Sequence, residues 1–299
     1  MKEYAFGIDL GGTTAKVGLF TTSGALLEKW EVPTDTSNAG EHILENLADA
    51  IRGKMAEKEI PAEQVEGVGI GVPGPVLNSS VVPIVCANLG GWGERNVSAQ
   101  LSGLLDGLRV LVGNDANVAA LGEIWCGSAT DLQNFITLVL GSGFGGAVCV
   151  GGKVFTGAHF LAGDMGYAYP LPEDTSYGQY IAPVEVEKRY RELTGGFKTI
   201  PEMKQTQDDD PAARDCYLRF IDGLANALLT MQYVMDPEMF LLGGGITSWP
   251  ELIPELEAHI AALVQRRDGP LVPHVRACTH QNDANLLGAV YNLKQTFGL

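Results

Sequence analysis

The chain is 299 residues long, with 45% hydrophobic and 19% charged residues and a formal net charge of -16. That length holds one large domain or two ordinary ones with ample core, and the composition is that of a soluble globular protein. The acidic balance disfavours a nucleic-acid or anionic-membrane surface, and five scattered cysteines with no Cys-x-x-Cys pair argue against a disulfide framework or a thiolate zinc site.

Alternating apolar residues over 4–9, 15–20 and 26–32 predict three strands joined by glycine-containing turns, a β-meander. Ile43, Leu44, Leu47, Ala50, Ile51 and Met55 recur at helical spacing within 41–58, and Val65 to Val72 reads as a buried strand. A helix over 97–105, a strand over 109–112 and a helix over 116–125 follow. The second half predicts strands at 135–140 and 146–150, helices at 183–193 and 212–235, and a strand at 239–242. A helix at 251–264, a strand at 272–278 and a closing helix at 284–296 complete it. Segment 195–211 is polar, with Asp208-Asp209-Asp210 ahead of Pro211, and reads as a solvated loop leading into a helix. Cys149 falls in a strand-like run and reads as a small core residue.

Both halves thus alternate strand and helix around a mixed sheet. We expect a small α/β lobe over residues 1–115, with 284–299 returning to it, and a large α/β lobe over 116–283. The most apolar stretch, Ile136 to Val150, is broken by glycines, so no run reaches membrane-spanning length. The opening Met1-Lys2-Glu3-Tyr4-Ala5 lacks the apolar core of a secretory signal, and a cytoplasmic location is expected.

Four short segments carry candidate chemistry. In Asp9-Leu10-Gly11-Gly12-Thr13-Thr14 a strand-end carboxylate can hold a hydrated Mg²⁺ while glycine N–H groups and threonine hydroxyls meet phosphate oxygens. Gly141-Ser142-Gly143-Phe144-Gly145-Gly146 repeats the strand–glycine–strand form, with Val139 where the first copy has Asp9. Either loop alone is equally well a hairpin without a ligand. Leu242-Gly243-Gly244-Gly245 ends a strand and leaves room for a flat adenine-ribose unit, or simply enters a helix. Asn114-Asp115-Ala116-Asn117 lies where a strand gives way to a helix, so either Asp115 or Asn114 simply caps that helix, or Asp115 is a general base for a substrate hydroxyl attacking a γ-phosphoryl group.

In this order and spacing, these segments resemble the ROK family of sugar kinases and regulators over essentially the whole chain. Gly71-Val72-Pro73-Gly74-Pro75 and Ala87-Asn88-Leu89-Gly90-Gly91-Trp92 look like that family's sugar-facing loops. The resemblance implies a two-lobed, actin-like ATPase (ribonuclease-H-like) α/β fold with an interlobe cleft. It implies that Asn88, Asn114 and Asp115 meet the sugar, with Asp115 as catalytic base. Asp9, Gly11, Gly12, Thr13, Ser142 and Gly143 would meet Mg-ATP phosphate, Asp9 holding Mg²⁺ through water, and Gly244 and Gly245 would border the adenosine.

The chain also departs from the family pattern. Where many members carry Glu-Gly-His and a cysteine-rich zinc loop, it reads Gly163-Asp164-Met165-Gly166-Tyr167, with no cysteine from 150 to 215. We therefore expect no structural zinc. Asp164, Tyr167 and Gln179 fall at sugar-contact positions and would alter one edge of that site. Tyr167, the segment Tyr190 to Gly195 and the tail Thr279 to Tyr291 are similar to the zinc-less β-glucoside kinase branch.

The activity that the resemblance implies is transfer of the γ-phosphoryl group of ATP to the 6-hydroxyl of glucose or a β-glucoside, in a homo-oligomer such as a dimer. The competing expectations are a kinase for another hexose such as N-acetylmannosamine or fructose, a sugar-sensing regulator of the same family, and a nucleotide-dependent filament protein. The regulators place a DNA-binding segment ahead of the kinase-like part, whereas Asp9 comes almost at once, and a filament protein would not require Asn88 with the Asn114-Asp115 pair.

Overall fold

The structure, a computed structural model, describes residues 2–169, 174–280 and 283–298. Its contacts divide the chain into two units: Met1–Gly127 with Ala158–Leu161 and Asp283–Leu299, and Ser128–Gly157 with Ala162–Asn282. Each unit is built on one five-stranded sheet.

In the first unit, β1 (Tyr4–Leu10), β2 (Thr14–Thr21) and β3 (Leu26–Pro33) form the expected meander, followed by α1 (Ile43–Glu57), β4 (Val65–Val72), β5 (Val81–Cys86), β6 (Trp92–Asn96), α2 (Val97–Leu104), β7 (Val110–Asn114) and α3 (Asp115–Cys126). The sheet order is β3-β2-β1-β4-β7, with β1, β4 and β7 mutually parallel and the meander antiparallel. Phe6, Ile8, Val17, Ile43, Leu47, Ile51 and Ile70 form the core between this sheet and α1.

The second unit contains β8 (Phe135–Leu140), β9 (Phe144–Val150), β10 (Lys153–Phe155), α4 (Tyr177–Ile181), α5 (Pro183–Thr194), α6 (Ile200–Thr206), α7 (Pro211–Met235), β11 (Met239–Gly243), α8 (Leu252–Arg266) and β12 (Val275–Ala277). Its sheet order, β10-β9-β8-β11-β12, repeats the first: an antiparallel meander, then parallel strands on the far side of its first strand. The duplicated glycine loop of the sequence is therefore the first turn of two topologically matched sheets. Phe220, Leu224 and Leu228 of α7 pack with Ile136, Leu138 and Phe240 into this unit's core.

The closing helix α9 (Ala284–Phe297) returns to the first unit. Leu286, Val290 and Leu293 bury against Ala5 and Phe20, on the sheet face away from α1. The approach is close enough that a Cβ on Gly69 would lie 2.0 Å from the Ala289 carbonyl oxygen. Only glycine in β4 admits the helix backbone at that distance.

Several elements differ from the sequence expectation, among them β10 and α4, which it did not include. Residues 200–206, within the expected loop, form α6, because Thr199 and Glu202 make a reciprocal capping box and Pro201 sits in the first turn. Residues 81–96 form a two-stranded ribbon, β5-β6, rather than loop alone; Pro83 is tolerated because, among the described residues, no third strand joins the ribbon. The strand expected over 272–278 is confined to β12. The remainder of 195–211 behaves as expected, with Asp210 capping α7 by accepting from Ala212 and Ala213 N–H at 3.0 Å each. Cys149 is buried, as expected.

Candidate active site

The first unit gathers its candidate residues at the carboxyl ends of parallel strands. In register, Asp9 of β1 lies beside Gly71 of β4, Gly71 beside Gly113 of β7, and Val72 beside Asn114. The ends of parallel strands are where a sheet of this kind leaves a ligand crevice. Asp9 accepts a hydrogen bond at Oδ1 from Asn285 Nδ2 at 2.8 Å, and its Oδ2 lies 3.9 Å from Lys16 Nζ. Burial pushes its carboxyl above the ordinary 3.8, opposed by the Asn285 hydrogen bond and the Lys16 charge. A buried carboxylate oriented by an amide at one oxygen fits a hydrated divalent cation, whose charge would offset that burial.

The turn after β1 is closed by Gly11 N–H on the Thr14 carbonyl at 3.2 Å. Thr34 fastens it twice, through its N–H on Thr13 O at 2.9 Å and its hydroxyl on Gly11 O at 2.8 Å. Gly12 faces Asn88 so closely that a Cβ there would lie 2.6 Å from the Asn88 carbonyl oxygen. The turn thereby touches the loop that joins β5 to β6, and Asn88 itself is exposed.

The two readings of Asn114-Asp115 separate in the structure. Asn114 is the cap of α3, its Oδ1 accepting from Asn117 N–H at 3.0 Å. Its Nδ2 donates to Gly74 O at 3.1 Å and to Asp115 Oδ1 at 2.9 Å. Asp115 Oδ1 also accepts from Ala116 N–H at 2.8 Å, so the carboxylate is held in a set orientation without being the cap.

In the second unit, the loop after β8 is closed by Gly141 N–H on Gly143 O at 3.0 Å, and Ser142 and Gly143 are exposed. Gly244 has φ +94°, and a Cβ there would lie 2.0 Å from the Leu140 carbonyl oxygen. Glycine at 244 thus presses the β11 end against the start of this loop. Beside them opens a cavity of about 340 Å³, walled by Gly141, Pro183, Val184, Gly245, Ile246 and Trp249. Its size and largely apolar walls suit a flat heterocycle. Of the residues singled out in the sequence, Gly141 and Gly245 line this cavity; Pro183 and Val184, on α5, carry no motif, and Trp249 follows Gly245 by four residues.

The segments carrying Asp164, Tyr167 and Gln179 pack together in the same unit: a Cβ on Gly178 would lie 3.1 Å from Gly166 O, and Tyr177 N–H donates to Ala168 O at 2.7 Å. Burial pushes the Asp164 carboxyl up, and Tyr167 is exposed. Gln179 also serves its own helix. Its Oε1 accepts from Ser176 N–H at 3.1 Å and from the Ser176 hydroxyl at 3.4 Å, in the capping box of α4. Of the tail that carries part of the family resemblance, Gln281 and Asn282 lie outside the described residues, while Asn285 proves to be the partner of Asp9.

The ROK family model matches residues 5–296. The chain is 32% identical to a beta-glucoside kinase of Listeria innocua, over 99% of this chain and 98% of that protein. It is 28% identical to a glucokinase of Halalkalibacterium halodurans, over 97% and 94%. A ROK family protein from Streptococcus pneumoniae, solved in complex with sucrose, superposes with a TM-score of 0.84 at 26% identity, covering 99% of each chain.

Proposed function

The chain belongs to the ROK family, and on that premise we propose the substrate and residue roles of an ATP-dependent sugar kinase with the actin-like α/β fold. The substrate is glucose or a β-glucoside, and its 6-hydroxyl is the acceptor. The observation that carries the residue roles is the placement of Asp9 and the Asn114-Asp115 pair at the carboxyl ends of parallel strands in one sheet. Similarity to a beta-glucoside kinase and a glucokinase supports the sugar, as does the likeness to a protein solved with a disaccharide.

In the reaction the sugar hydroxyl oxygen forms a bond to the γ-phosphorus, the bond from that phosphorus to the β–γ bridging oxygen breaks, and ADP leaves. Asp115 accepts the hydroxyl proton, its orientation fixed by Asn114 and the Ala116 N–H. Asn88 and Asn114 pair with sugar hydroxyls; directional contacts of this kind reject analogues lacking the hydroxyl. Asp164 and Tyr167 meet another edge of the sugar, and Gln179 contributes there through the part of its amide that the capping box does not use.

The turn Gly11-Gly12-Thr13 and the loop residues Ser142 and Gly143 meet ATP phosphate, while Gly244 and Gly245 border the adenosine in the apolar cavity. Asp9 would hold Mg²⁺ through water, Asn285 orienting it, and the ion would neutralise phosphate charge. The small and large lobes of this reading are 1–115 with 284–299, and 116–283. It includes no structural zinc, since position 167 is tyrosine and 150–215 has no cysteine, and it makes the protein a cytoplasmic dimer.

ADP release measured with glucose, cellobiose, aryl β-glucosides, fructose, mannose and N-acetylmannosamine tests the proposal. Preference for glucose or β-glucosides is expected. Preference for N-acetylmannosamine or fructose would move the substrate within the family, and a flat response across the panel would contradict the kinase reading.

A further inference from the structure

The contact between Gly12 and Asn88 joins two loops to which the functional reading gives different ligands. We infer that Gly12, in the phosphate turn, is a positioning residue for the sugar, setting sugar affinity through the backbone of Asn88. The inference rests on the assignment of the turn to phosphate and of Asn88 to sugar.

The loop 87–91 is held from two sides by parts of one assembly. On one side, a Cβ at Gly12 would lie 2.6 Å from Asn88 O and 3.7 Å from Asn88 Cβ. On the other, a Cβ at Gly90, which has φ +69°, would lie 2.1 Å from Thr36 O. Thr34, two residues before that carbonyl, carries both hydrogen bonds to the phosphate turn. Inside the loop, Gly90 N–H on Ala87 O at 3.2 Å and Gly91 N–H on Cys86 O at 3.1 Å leave little slack. The turn, the 34–36 segment and the Asn88 loop therefore form one packed block.

Alanine at 12 meets no conformational barrier of its own, because Gly12 is outside the left-handed region. The nearest atoms its methyl group would meet all belong to Asn88, and backbone must yield there. Alanine at Gly11 instead meets Thr14 O at 2.8 Å, inside the turn itself. The two neighbouring glycines thus separate an effect on the turn from an effect passed to the sugar loop. Any shift of the turn on phosphate binding would reach the sugar loop through this contact, and by linkage the two affinities would change by the same factor.

The test is calorimetric binding of the sugar preferred in the ADP-release panel, without nucleotide, to wild type, Gly12→Ala, Gly11→Ala and Asn88→Ala, with each variant's fold checked by circular dichroism and thermal melting. Gly12→Ala should weaken the sugar about 10-fold, Gly11→Ala should cost sugar affinity several-fold less while weakening ATP, and kinetics should show the same split between the two KM values. Unchanged sugar affinity in folded Gly12→Ala overturns the inference, as does an equal loss in both glycine variants. Unchanged sugar binding in Asn88→Ala overturns the assignment of Asn88 itself, and with it the inference. Should Gly12→Ala not fold, the wild-type test of reciprocal ATP–sugar affinity decides: sugar affinity unaffected by a non-hydrolysable ATP analogue contradicts the inference.

Discussion

Asn285, in the first turn of the closing helix, donates its side-chain N–H to Asp9 Oδ1 at 2.8 Å, across 276 residues of sequence. The link fixes one carboxylate oxygen of the residue proposed to hold Mg²⁺. Groups that orient a metal-holding side chain typically affect affinity by roughly 10- to 100-fold when removed. Asn285→Ala should therefore raise the Mg²⁺ concentration for half-maximal activity about 10-fold, with little change in the sugar KM. A Mg²⁺ titration of initial rates checks this.

Asp9 also predicts a trade between stability and activity. Burial raises its folded pKa above the ordinary 3.8, so between those values the native state binds more protons than the unfolded one. Its contribution is fully present below the unfolded pKa and is lost as pH rises through the folded pKa. At pH 7 without Mg²⁺, Asp9→Asn should melt higher than wild type, and the gain should shrink as pH falls toward 4. The same variant should be nearly inactive. Thermal melts at both pH values, with and without Mg²⁺, measure it.

Gly244→Ala should damage the second unit. A methyl group at φ +94° and 2.0 Å from Leu140 O forces the β11 end away from the β8 loop. A loss of at least about 2 kcal/mol is expected in urea unfolding, with weaker ATP binding.

Thiol chemistry gives a check on burial. Cys149 is buried and its thiol is pushed up to about 12, and Cys86, Cys216 and Cys278 are buried too. Cys126 alone of the five is exposed. Iodoacetamide followed by peptide mass spectrometry should find Cys126 modified in the native protein and the other four only after denaturation.

Much of the fold was legible because its punctuation is local. Asp9-Leu10-Gly11-Gly12 and Leu140-Gly141 mark strand ends by apolar alternation broken at glycine, and both proved to be the first turns of matched sheets. The helix at 200–206 was missed although Thr199 and Glu202 spell a capping box, because the polar composition of the segment outweighed that signal. Pro83 hid β5 in the same way. The Asp9–Asn285 bond and the Pro183–Val184 wall of the cavity join residues far apart in sequence, and no spacing announces them. Asn114 shows a subtler limit: adjacent Asn and Asp are both good caps, and only the hydrogen bond to Asn117 N–H tells which one serves.

The central claim is that Asp115 takes the proton of the attacking sugar hydroxyl. Asp115→Asn keeps the side-chain shape and removes the basicity. Turnover measured by ADP release, alongside calorimetric sugar binding, should show kcat lowered by about 10²- to 10⁴-fold with sugar affinity within a few-fold of wild type. Near-normal turnover in a folded variant that still binds sugar would contradict the account.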